Sequence, residues 1–201
     1  MLNEHEAVNL LMEKIARVKL KITERLINEI SVDGIMYGDD WGGESSLIMG
    51  PELWRRFIKP LQQKLYDICS KNRVFIRQHS DGHTEEIFGD LVEMGLNILN
   101  PLQPECNDVE KAKSEFGKHL AFHGAVSSRL LDRGTPQQVN EEVKVRIKQL
   151  AEGGGYIVAP AHAFPYPDRN VEAFRNAAIE YGGIPEKWRN KFEVERTDVE
   201  V

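Results

Sequence analysis

The groups in this 201-residue chain that could do chemistry fall into short clusters separated by apolar runs. In chain order they are Asp39, Asp40, Trp41 and Glu44; His79, Asp81 and His83; Gln103, Glu105 and Cys106; His123; and His162. Adjacent acids such as Asp39 and Asp40 can bind a metal, orient a base or hold a cationic group, although acids beside glycines also serve as ordinary turn and cap residues. The run His79-Ser80-Asp81-Gly82-His83 brings imidazole and carboxylate into one tight turn, which suits a divalent metal or general acid-base work. His79 and Asp81 are the candidates there; the competing reading has Asp81 capping the turn, and His83 is expected in solvent. His162, between the small residues Ala161 and Ala163, has a ring accessible to a ligand. His123 is either a ligand-side residue or a hydrogen-bonded structural histidine, with the second reading favoured. Glu105 and Cys106 offer a carboxylate and a thiolate, yet a lone cysteine is more often a small buried hydrophobe. Trp41 and the group Phe164-Pro165-Tyr166 are candidates to line an apolar pocket, with core packing as the alternative.

These groups need a frame, and the intervening pattern supplies one. From about Asn3 to Ile30, Leu11, Ile15, Val18, Ile22 and Leu26 recur at spacings of three and four and form one apolar helical stripe, with Asn3 and Glu6 as a capping pair. Ile35-Met36-Tyr37 is too short for a helix and empties into a Gly- and Asp-rich loop, so it reads as a strand. The alternation repeats. A helix from Gly50-Pro51 carries Leu53, Phe57, Leu61, Leu65 and Ile68, with a kink expected at Pro60. Strands are expected at Val74–Ile76, Asn97–Leu99, Leu120–Phe122 and Tyr156–Ala159. Helices follow from Thr84, from about Asp108 to Phe116, from Thr135-Pro136 with its capping partner Gln138, and over Val171 to Tyr181. Every strand-to-strand connection is long enough for a helix, which implies parallel neighbours. No GxGxxG or GxxxxGK[ST] loop follows any strand, so the pattern leaves an open sheet and a (β/α)8 barrel both standing. In either, ligands meet the loops after the strands' C-terminal ends, where most of the groups above lie.

The charge balance, 32 acidic against 26 basic residues, is spread without blocks and gives no footprint for nucleic acid. No apolar run is long enough to span a bilayer, and with no CxxC pair from Cys69 and Cys106 a cytoplasmic setting is expected. One domain over residues 1–182 and a charged tail over 183–201 are expected, with Phe192, Val194, Val199 and Val201 forming at most a half-exposed strand.

Five segments taken together, GDDWGGESSLIMGPELWRRFIKP (38–60), FIRQHSDGHTEEI (75–87), GLNILNPLQPEC (95–106), LAFHGAVSS (120–128) and GGGYIVAPAH (153–162), resemble the uroporphyrinogen decarboxylase and cobamide-dependent methyltransferase superfamily. The resemblance implies a (β/α)8 TIM-type barrel with its cleft at the C-terminal mouth, here the last five strand-helix units, so that about three preceding units of an eight-unit barrel are absent. Those units carry the arginines and the aspartate that the decarboxylases use on tetrapyrrole carboxylates. Where the decarboxylases have Ser-Trp this chain has Asp40-Trp41, and where they have Gly-His-Gly it has Ala161-His162-Ala163. The zinc methyltransferases of the superfamily have His-x-Cys where this chain has His79-Ser80-Asp81, and a cysteine at Ala161. An oxygen- and nitrogen-rich site for zinc or another divalent metal, from His79 and Asp81 with Asp40 or His162, replaces the thiolate centre in this reading.

The resemblance thus implies a methyltransferase-like protein that handles a one-carbon group with a corrinoid-carrying partner protein. Asp40, His79 and His162 are the expected catalytic residues, and Trp41, His123 and Tyr166 the expected substrate contacts. The alternatives are a uroporphyrinogen decarboxylase-type lyase acting on a porphyrin precursor, and a truncated chain that binds without turnover. Open sheet edges and inner-face residues such as Ile35, Phe75 and Ile157 further lead us to expect a homodimer or a separate N-terminal chain.

Overall fold

The computed structural model describes residues 5–183. The expected Asn3 cap and the C-terminal strand over Phe192 to Val201 lie outside them. Five parallel strands, β1 (Gly34–Gly38), β2 (Phe75–His79), β3 (Ile98–Leu102), β4 (Ala121–Val126) and β5 (Tyr156–Pro160), form one sheet in sequence order. That order, with helices in each connection, is the arc of a TIM-type barrel and not the reversing order of a doubly wound sheet.

Local chemistry explains most helix boundaries. Helices α2 (Gly50–Phe57) and α3 (Lys59–Lys71) replace the single kinked helix expected, because Pro60 cannot continue the hydrogen-bond ladder but fits the first turn of α3. A 3-10 turn at Glu85–Ile87 leads into α4 (Phe88–Glu93). The Asp108 side chain caps α5 (Val109–Phe116), accepting from the Lys111 amide. α6 (Ser128–Arg133), capped by Ser127, has no counterpart in the sequence reading, its apolar content being too short to show a period. Thr135 and Gln138 form a complete capping box on α7 (Pro136–Leu150). α8 (Asp168–Tyr181) packs on α7.

The first helix departs from expectation. α1 (His5–Arg25) ends in a π-helical turn over Leu26–Ile30, and it buries Ala16 and Thr23. Of the expected apolar stripe, Leu26 packs on the core, but Leu11, Val18 and Ile22 are each more than half exposed. Thr23 is bound through its hydroxyl to Tyr37 at 2.9 Å.

The sheet has two unlike faces. On one, Tyr37, Ile76, Leu99 and Phe122 pack with the helices in a core that includes Trp54, Leu65, Tyr66 and Phe88. Ile35 belongs to this face at 8 % exposure, correcting its assignment to the inner wall. Strand alternation sends its neighbour Met36 the other way. Met36 and Phe75 (56 % and 63 % exposed) and Ile157 (44 %) line the open, barrel-side face, together with Arg77, His79 and His123.

Candidate functional site

The loops after β1 and β2 are fused by backbone contact. Gly82 has φ of 81°, and a Cβ there would sit 2.4 Å from the Gly43 oxygen; at Gly42 it would sit 2.4 Å from the Asp81 oxygen. Only glycines allow this approach. The Trp41 amide donates to the buried Ser80 Oγ at 2.9 Å, the Asp81 amide to Asp40 Oδ1 at 3.2 Å, and the His83 amide to the Gly43 oxygen at 2.7 Å. The third loop joins through Gln103 Oε1, which accepts from the Gly82 amide, and through Asn107, whose side chain bridges Gly82 and Thr84.

This lattice sets the geometry of the acids and imidazoles. His79 Nε2 lies 3.7 Å from Asp40 Oδ1 and 3.7 Å from Asp81 Oδ1, and one ligand atom from each of the three residues lies within 4.8 Å of the others. His79 Nδ1 stands 2.9 Å from Asn100 Oδ1, an oxygen that can only accept, so Nδ1 is the donor in that bond and Nε2 is the nitrogen that faces the carboxylates. Asp81 Oδ1 is sheltered from solvent without a hydrogen-bond donor. An orphaned carboxylate oxygen 3.7 Å from an imidazole nitrogen leaves a gap of the size a cation would take: ligand atoms bonded at about 2.1 Å in a tetrahedral set are roughly 3.4 Å apart. The donors present, two carboxylates and one imidazole, therefore suit a small divalent ion, and the His79–Asn100 bond is the kind of supporting contact that fixes a ligating histidine.

Asp81 also reaches the last strand. Its Oδ2 is 3.2 Å from His162 Nδ1. The His162 amide donates to Ser128 Oγ at 2.8 Å, and the ring stacks on Phe164 with centroids 5.5 Å apart. Tyr166 donates its hydroxyl proton to the His162 carbonyl at 2.6 Å and lies 2.9 Å from Ser128 Oγ. Tyr166 thus holds the His162 loop, and burial raises its phenol pKa.

The sheet therefore gathers Asp40, His79, Asp81 and His162 at one mouth. Trp41 is 3 % exposed and meets Trp54 edge-on at 5.2 Å, so packing dominates its surroundings. His83 is not in open solvent, because its Nδ1 lies 2.6 Å from the Cys106 carbonyl. His123 sits within β4, below the mouth; burial first, then Arg77, pushes its pKa down to about 4. Glu105 accepts the Ser127 hydroxyl proton at 2.5 Å, and the Cys106 thiol pKa is raised by burial and then by Glu105. Asp39 is paired with Lys19 at 2.7 Å and stands apart from the cluster. Asn100, Ser80 and Asn107 escaped the sequence reading; a turn-rich stretch containing Asn100-Pro101 or Cys106-Asn107 was the available signal, and it names no partner.

Two hollows flank the cluster. A cleft of about 270 Å³ is bordered by Met12, Ile15, Lys19, Asp40 and Trp41. A more polar one of about 500 Å³ is bordered by Gln103, Ser128, Arg129, His162 and Phe164. No helix among the described residues is long and apolar enough to cross a membrane.

Comparison with known proteins agrees with this architecture. Among solved structures, a methyltransferase from Methanosarcina mazei superposes with a TM-score of 0.65 at 23% sequence identity. The match covers 84% of this chain and 48% of that one, so the chain spans about half the length of its structural relative. No curated protein sequence matches. The family model for uroporphyrinogen decarboxylase (URO-D) matches residues 1–181, and with five parallel strands presenting their polar turns at one mouth, the chain belongs to the URO-D family.

Proposed function

We propose that this chain is the metal-holding part of a methyltransferase-like enzyme of the URO-D family, which moves a one-carbon group to or from a corrinoid carried by a partner protein. The observation that carries the reading is the disposition of His79, with Nδ1 occupied by Asn100 and Nε2 aimed between Asp40 and Asp81. Asp40, His79 and Asp81 would hold zinc or a similar divalent ion. Such an ion, when bound, supplies a Lewis acid that lowers the pKa of a coordinated thiol or hydroxyl.

The chain's own residues do the rest. Asp81 uses one oxygen toward the ion site and the other toward His162, so that a positive charge gained by His162 is matched by the carboxylate beside it. Protonated at Nδ1, His162 keeps Nε2 free to accept a proton from a group in the polar cleft. The Ser128 and Tyr166 contacts fix the backbone that aims it. Asp40, 61% exposed at the mouth, disfavours a substrate with many anionic arms, which supports methyl transfer over decarboxylation of a tetrapyrrole.

The open face of the sheet supports an assembly as well. Met36, Phe75 and Ile157 expose apolar surface that a second copy or a separate N-terminal chain would cover. The cytoplasm is the fitting compartment for such chemistry. The test is metal analysis of protein purified without chelator, joined to a methyl-transfer assay with a methylated corrinoid protein. About one divalent ion per site and transfer lost in His79→Ala are expected. Absence of metal even after adding zinc rejects the reading.

A further inference from the structure

The barrel-side face of the sheet carries a cation, Arg77, that has no counter-ion among the described residues. Arg77 is the third residue of β2 and lies two positions before His79, so both side chains leave the same face, with Arg77 roughly 6–7 Å deeper along the strand. Its Nη2 donates to Asn100 Oδ1 at 2.8 Å, and its Nε is sheltered from solvent without an acceptor. Among the described residues no carboxylate pairs with it. His123 on β4 lies close enough to feel the Arg77 charge, and its Nδ1 is likewise sheltered and unpartnered. Asn100 connects the two: its side-chain amide accepts from Arg77 and donates to the His123 carbonyl at 3.3 Å.

A half-enclosed guanidinium in register with the apolar Met36, and an orphaned imidazole nitrogen in register with Ile157, make an unfavourable arrangement unless an anion completes it. Arginine presents paired N–H donors at the spacing of a carboxylate, and a site of low polarity strengthens that bond. We propose that Arg77 and His123, tied together by Asn100, receive a carboxylate on the barrel-side face of the sheet, beneath the Asp40–His79–Asp81 cluster. The inference builds on the reading of that cluster as the reaction centre and names the substrate class: a molecule with an apolar body and one carboxylate, which points down the barrel while its reacting group stays at the mouth. A carboxylate from a second copy of this chain is the other source of the same chemistry.

The full chain, stripped of metal with chelator, is titrated with phenylacetate and with the neutral phenylacetamide while the Arg77 Nε–Hε resonance is followed. Phenylacetate is expected to shift that resonance and to bind at least about tenfold more tightly than the amide, and Arg77→Met to weaken binding by at least about tenfold. His123→Leu is expected to weaken it several-fold, and it keeps the test open if Arg77→Met fails to fold. If phenylacetate does not bind but Arg77→Met raises the self-dissociation constant by about tenfold or more in sedimentation, the carboxylate comes from the second copy. Equal binding of acid and amide, or no binding together with unchanged self-association, overturns the proposal. Because these titrations contain no metal, their failure leaves the zinc reading intact, and a failure of zinc to bind leaves them valid.

Discussion

Asn100 Oδ1 accepts the Nδ1 proton of His79 at 2.9 Å, and this one bond decides which imidazole nitrogen faces the two carboxylates. A hydrocarbon of similar volume at position 100 would free the ring to rotate and to change tautomer. Asn100→Leu is therefore expected to lower zinc affinity by about 10- to 100-fold, the usual effect of losing a partner behind a ligating histidine. Isothermal titration with zinc checks it. Wild-type affinity in the variant would show that Asn100 does not orient the ring.

The crossing of the first two loops makes Gly82 a sharp stability probe. With φ at 81° and the Gly43 oxygen 2.4 Å from where an added methyl group would sit, Gly82→Ala suffers backbone strain and a steric clash together. We expect a loss of about 2 kcal/mol or more in urea unfolding, above the ~1 kcal/mol of an unfavourable φ alone. Gly89→Ala, in helix α4 where a methyl group meets nothing within 4 Å, is the control and should be neutral to stabilising by up to about 1 kcal/mol.

His123 gives the fold a pH dependence whose sign is fixed. Its folded pKa of about 4 lies below the ordinary histidine value of 6.5, so below pH 6.5 the unfolded chain binds the proton more readily. The stability tied to neutral His123 is complete above pH 6.5 and is lost as pH falls toward 4. In denaturant titrations at pH 7 and pH 4.5, His123→Leu should show a smaller loss than wild type. Equal losses would mean that the ring is solvated.

The uncovered apolar surfaces bear on assembly. Leu11, Val18 and Ile22 on α1, and Met36 and Phe75 on the sheet, are all more than half exposed. Sedimentation of the full chain at micromolar concentration is expected to show self-association, and Met36→Lys with Phe75→Lys to weaken it, raising the dissociation constant at least about tenfold. A wild-type monomer with cooperative unfolding would remove the case for a second copy on this face.

Local rules were legible in the residues, whereas relations across loops were not. The Thr135–Gln138 box and the break at Pro60 follow from neighbours within one turn, and the structure has both. The convergence of Asp40, His79, Asp81 and His162 was legible because strand ends in a parallel sheet share one side. The stripe on α1 misled in a specific way: periodicity shows that Val18 and Ile22 share a face, but not what covers it, and here the helix buries Ala16 and Thr23 instead. Asn100 was invisible for a related reason. Its importance lies in three partners on two other strands, and an isolated asparagine before a proline reads as a turn.

The glycine crossing has a further consequence. Because Gly42 and Gly82 hold the two loops together at backbone level, the main-chain segments that carry Asp40 and Asp81 move as one, and an ion held by these acids and His79, as proposed above, would tie both loops to β2. The donor set of such a site would favour an ion that accepts imidazole nitrogen and few ligands, whereas calcium, with its demand for six or more oxygens, would find only two carboxylates and one imidazole.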